Sequence, residues 1–175
     1  MLAGIKIFSC GMIFFTCKAL TTVNYDARMT SLLFGLAIFG HSVLIYRWRG
    51  LEEQLMRFYR GLPVSMTARL YQYAILYAVL LIPEIVTFGI VSPAYMHGND
   101  AIQLVTAGYA FLLLQCSLLF MSPIPIREFL KITLLLFGVL YFAVMGGWLP
   151  LLAVVSIVAA ISIIAVYYYK YESKL

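Results

Sequence analysis

One carboxylate stands inside an otherwise apolar run: Glu84 follows Pro83 in Leu81-Ile82-Pro83-Glu84-Ile85. An ionised carboxylate at a bilayer centre costs about 3 kcal/mol on insertion scales, so the group must face protein or water, or be neutral. Pro83 cannot donate to the carbonyl of Val79, which leaves an acceptor for a protonated carboxyl or a neighbouring helix. Tyr73, Tyr77, Glu84 and Thr87 fall on about one face of a helix and would form a sparse polar stripe there. Such a stripe suits a conduit or a conformational hinge; the alternative is a helix–helix hydrogen bond. His41 is the other titratable group of note. A membrane histidine can relay a proton, although near an interface it more often hydrogen-bonds a neighbour.

No catalytic or metal-binding constellation is expected. The chain has no H-E-x-x-H, no G-x-S-x-G and no carboxylate cluster able to hold a metal. Cys10, Cys17 and Cys116 all lie in apolar runs without metal-site spacing and read as buried thiols. The pattern G-x-x-x-x-G-K-[ST] is also missing, so no P-loop ATPase is encoded in this sequence.

The elements that must position these residues follow from composition. Hydrophobic residues make up 64% of the 175 positions and charged ones 11%, and mean hydropathy is +0.99. Soluble domains carry about 25% charged residues, so the expected class is an all-α polytopic membrane protein. Apolar runs of about 20 residues without strand alternation exclude a β-barrel. The net charge of +5 collects in particular loops and is a mark of topology, not of nucleic-acid binding.

Six spans are expected in a single domain, at about 2–23, 31–46, 68–91, 101–121, 130–145 and 151–169. The first is expected to be retained, because Lys18-Ala19-Leu20-Thr21 is a poor cleavage site. Gly35 and Gly40 would permit close helix approach in the second. Turn chemistry separates the later ones: Pro93, Gly98 and Asn99, then Ser122-Pro123-Ile124-Pro125, then Gly146-Gly147-Trp148 with an interfacial Trp. With both termini cytoplasmic, the inner side receives Lys6, Arg47, Arg49, Arg57, Arg60, Arg69, Arg127, Lys131, Lys170 and Lys174. The outer side receives only Lys18 and Arg28, as the positive-inside rule requires.

The long polar interval 46–73 has its own pattern. Leu51, Leu55, Phe58, Tyr59 and Leu62 recur at helical spacing, which predicts a short amphipathic helix at about 51–60. Gly61 can end it, Pro63 prevents its continuation, and Ser65 can cap the next helix. The plainer reading is a helix at the lipid surface, its arginines near anionic headgroups.

Glu52, Glu53, the turn Leu62-Pro63-Val64-Ser65 and Arg69 resemble the cytoplasmic segment between spans two and three of type-2 ABC exporter permeases. That resemblance implies a coupling helix that docks on an ATP-binding cassette subunit through Leu51, Glu52, Glu53, Leu55, Phe58, Tyr59, Leu62 and Pro63. It implies further that ATP and Mg are bound by that partner and that no cofactor is held here. A second permease domain would pair with this one, as a homodimer or heterodimer, in a bacterial inner (cytoplasmic) membrane. The family usually carries an amphipathic surface helix before span one, whereas this chain enters the membrane almost at once, which implies a reduced permease or the smaller half of an unequal pair. The alternative from another class is a non-catalytic scaffold subunit of a larger membrane complex; an intramembrane lipid-modifying enzyme is disfavoured by the lack of a polar cluster.

Overall fold

In lipid, apolar runs must close their backbone hydrogen bonds internally, and here they do so as helices. A computed structural model describes residues 2–20, 27–55, 65–91, 98–121 and 124–172. Its helices are α1 (Leu2–Leu20), α2 (Ala27–Leu55), α3 (Met66–Leu80), α4 (Ile82–Val91), α5 (Gly98–Leu118), α6 (Ile126–Met145) and α7 (Leu149–Glu172), with no strand among the described residues. Four of them are long and apolar enough to cross a membrane, over Met29–Glu52, Gly98–Leu118, Ile126–Met145 and Leu149–Tyr168. A fifth candidate is the pair α3 and α4, bent by 41°. The described apolar stretch of α1, Leu2–Phe15, is shorter. The outward faces are apolar too: Ile90, Phe142 and Leu135 are largely exposed, as expected where lipid is the solvent.

The bend between α3 and α4 is local chemistry. Pro83 has no N–H, and its ring crowds the carbonyl one turn back, so the helix cannot continue unbroken. Leu81 takes up the break at φ −83°, ψ −5°. Its N–H reaches the Tyr77 and Ala78 carbonyls, and Ile85 N–H returns to the Leu81 carbonyl at 2.9 Å. At the other end of α3, Ser65 caps as its type suggests, its hydroxyl accepting from Ala68 N–H. The α6–α7 turn closes as a paired-bond motif: Trp148 N–H meets the Ala143 carbonyl at 2.8 Å and Gly147 N–H the Val144 carbonyl at 3.1 Å. Gly147 occupies the left-handed position, φ 72°, that the motif asks of a glycine.

The sequence expected a second span over 31–46 and a separate helix from 51. Instead α2 runs unbroken from Ala27 to Leu55, so residues 51–55 belong to the same helix as the span. Gly50 is too weak a breaker: an interior glycine costs about 1 kcal/mol, and Arg49 and Glu52 bridge the turn around it. Helix α5, which covers the expected fourth span, likewise begins early, at Gly98, inside the expected loop, with Asp100 in its first turn where the helix dipole favours an acid.

Helices α2 and α5 form the centre. Helix α5 packs most extensively on α7; α2 packs on α1, α5 and α6; and α1 also lies along α4. One end of the bundle gathers the end of α2, the start of α3, the end of α5, the start of α6 and the end of α7. Phe120 stands 5.7 Å from the Tyr73 ring and 6.3 Å from the Tyr168 ring, and Tyr46 donates to the Ile124 carbonyl at 3.1 Å. Arg47, Arg49, Arg69, Arg127 and Lys131 therefore share that end.

Close approach at the centre depends on two glycines. A Cβ on Gly35 would lie 2.5 Å from a Phe137 ring carbon, and one on Gly108 would lie 2.8 Å from Phe34 and 3.1 Å from Ile38. Gly108→Val should therefore cost about 1–3 kcal/mol through overpacking, measured by unfolding in detergent. Gly138→Val, where nothing lies within 4 Å, should cost little. Equal losses at the two positions would remove close approach as the reason for Gly108.

Candidate functional site

Two buried polar clusters lie along the inward face of α3 and α4, and Glu84 is the centre of the deeper one. It is almost wholly buried at the start of α4. Lys6 of α1 donates to both of its oxygens, at 2.9 and 2.8 Å. Lys6 also donates to the Leu80 carbonyl beside the bend, and the Ser9 hydroxyl donates to Glu84 Oε1. His41, fully buried in α2, places Nε2 2.9 Å from Lys6 Nζ and 3.2 Å from Glu84 Oε1. Its Nδ1 donates to the Ala37 carbonyl at 2.8 Å, which in the neutral ring leaves Nε2 to accept from Lys6.

The cluster thus joins α1, α2 and α4 at the point where α3 and α4 part. A lone buried carboxylate would be prohibitive; an ion pair with its remaining lone pairs hydrogen-bonded is not. Sequence reading found Glu84 but gave Lys6 to the charge boundary. Its ammonium is engaged by Glu84, so it drops out of the topological count. Lys6 and Ser9 share a face three residues apart, and that spacing was the available signal; which helix they face is a tertiary matter.

The second cluster sits at the basic end. Glu52 accepts from Arg49 at 3.0 Å, from Arg69 at 3.2 Å and from the Tyr73 hydroxyl at 2.7 Å. Arg49 also donates to the Tyr73 hydroxyl at 2.9 Å and lies 4.2 Å over the Phe120 ring, a cation–π contact. Arg69 reaches Tyr168 as well. One carboxylate therefore ties the last turns of α2 to the first turns of α3 and, through Arg69, to α7.

Between the clusters, Tyr77 is buried near Cys116 of α5. Tyr73 and Glu84 are eleven residues apart, roughly 16 Å along a helix axis. The expected stripe of Tyr73, Tyr77 and Glu84 is thus assembled on one inward face. Thr87 stands apart, half-buried, with its hydroxyl on the Pro83 carbonyl at 2.7 Å. That bond gives the bend a local partner. Cys116 is a buried thiol, as its surroundings suggested. Gln115, fully buried on α5, has no partner for its amide among the described residues.

Of the expected docking residues, Leu51 is half-exposed on α2 and Glu52 is held internally. Glu53 and Leu55 belong to the backbone of α2, but their side chains lie outside the described residues, as do Phe58, Tyr59, Leu62 and Pro63. Among the described residues no group of three or more His, Cys, Asp or Glu side chains could hold a metal ion. Comparison with family models, curated proteins and solved structures finds no match. Chemically, the arrangement can lock helices together across a bend and transmit displacement between them.

Proposed function

We propose that the chain is the membrane permease subunit of an ATP-driven ABC exporter, working with a separate ATP-binding subunit and a second permease domain. In this reading α1 completes six spans, both termini are cytoplasmic, and residues 51–62 form the coupling segment. The observation that carries it is the Glu52 cluster. The segment resembling a coupling helix lies between Glu52 and Arg69, and those two residues are bonded to each other. A push on the segment would move α2 and α3 together, because a two-ended tie resists their separation. The displacement would travel along the inward face of α3 to the bend, where the Lys6–Glu84 pair links it to α1 and α2.

The apolar residues of the segment carry docking. Burying a Leu or Phe contributes about 1.5–3 kcal/mol, whereas an exposed ion pair gives roughly 0–1 kcal/mol. Leu55→Asp should release the ATPase subunit in affinity purification while leaving the chain inserted and paired; Arg57→Ala should weaken docking only slightly. If Leu55→Asp leaves the complex and its ATPase activity unchanged, the coupling role is wrong, and a scaffold subunit with a lipid-surface helix becomes the better account.

A further inference from the structure

Beside the polar face of α3 lies an apolar groove of about 550 Å³ between α1, α2 and α3. Leu44, Trp48 and Leu51 line it from α2; Leu76 and Val79 line it from α3; and Leu2 lines it from α1. On each of the two longer walls these residues recur at the three- and four-residue steps of one helix face. Pro83 and the stem of Lys6 stand at its deep end, where the Lys6 ammonium is turned to Glu84. The groove runs from the bend toward the basic end, over seven residues of α2 or roughly 10 Å.

Its surroundings select the occupant. Leu51 and Val79 are more than half exposed at its mouth, and both belong to helices whose outward faces are apolar. Trp48, 43% exposed, stands at the basic end, where an indole favours the membrane interface. Arg47 is exposed and lies about 40° beyond Leu51 around the axis of α2, at the edge of the groove-lining face. Its guanidinium is available at the level a headgroup would take.

We propose that this groove binds one acyl chain of an anionic phospholipid, with the headgroup phosphate held near Arg47 beside Trp48. The site requires no ATPase partner. It orders one lipid against the helices that converge on the Glu84 bend.

Bromolipid quenching of the two tryptophans tests this. The Trp148→Phe chain, reconstituted in phosphatidylcholine vesicles, reports from Trp48 alone. Dibrominated phosphatidylglycerol should quench it half-maximally at a mole fraction about fivefold lower than dibrominated phosphatidylcholine, the ratio expected for one basic residue near a membrane surface. Trp148, read in the Trp48→Phe chain, should show no such preference. Arg47→Gln should remove the preference at Trp48, and so should Val79→Phe, which fills the groove from an exposed position. Equal midpoints for the two lipids at Trp48 would overturn the proposal in favour of ordinary boundary lipid. A preference that survives Val79→Phe would reduce it to headgroup attraction, and one that survives Arg47→Gln would remove the assigned phosphate contact. No quenching by either lipid would mean that protein covers the groove, and that too overturns it.

Discussion

Glu84→Ala should be the most damaging single substitution in the chain, lowering stability by about 3–5 kcal/mol, the usual cost of removing one partner from a buried ion pair. The loss comes from what remains. Lys6 is only 17% exposed and has both oxygens of Glu84 as acceptors; without them its ammonium faces the Leu80 carbonyl and the His41 ring alone. Glu84→Gln should cost nearly as much, because an amide keeps the volume but not the charge. Lys6→Met paired with Glu84→Gln should recover much of the loss, since no unpaired ammonium is then left inside. Urea or thermal unfolding in one detergent would supply the four corners of the cycle. A Glu84→Gln protein as stable as the parent would mean that the carboxyl is neutral and acts only by hydrogen bonding, and the ion-pair account would fall.

The parts of this site that sequence could reach were those written in local chemistry. Pro83 beside Glu84 announced both a freed backbone carbonyl and the need for a partner, because each is a property of one or two residues. Tyr73, Tyr77 and Glu84 shared a face by helical spacing, and they share one in the structure. Ser65 and Gly147 do what their types allow at helix ends. The partners themselves were hidden. Lys6 looked like a boundary charge because a single cation near a membrane edge has the same local pattern whether it meets water or a carboxylate. His41 looked like a minor group for the same reason. The length of α2 was also misjudged at 46: a polar run reads as the end of a span, yet the helix continues to Leu55 because Glu52 turns its charge inward, onto Arg69 and Tyr73, instead of leaving it in solvent.

That inward turn leads to the second large effect. Glu52→Gln should destabilise the basic end by about 2 kcal/mol, within the range for hydrogen bonds to charged groups. Two guanidiniums and a phenol would then converge on a neutral amide. Because the lost bonds tie α2 to α3, the change should be local before it is global. Backbone amides at 50–54 and 68–72 should exchange about 5–30-fold faster, while those of α5 keep their rates. Tyr73→Phe removes one donor and leaves both cations, so its effect should be smaller, about 1 kcal/mol. Arg47→Gln, on the exposed side of the same helix turn, should stay within about 0.5 kcal/mol. Hydrogen exchange by mass spectrometry in detergent distinguishes these cases. If Glu52→Gln matches Arg47→Gln at both helix ends, Glu52 does not hold α2 to α3. Displacement of one helix would then have no rigid route to the other, and the transmission role proposed for residues 51–62 would lose its mechanical basis.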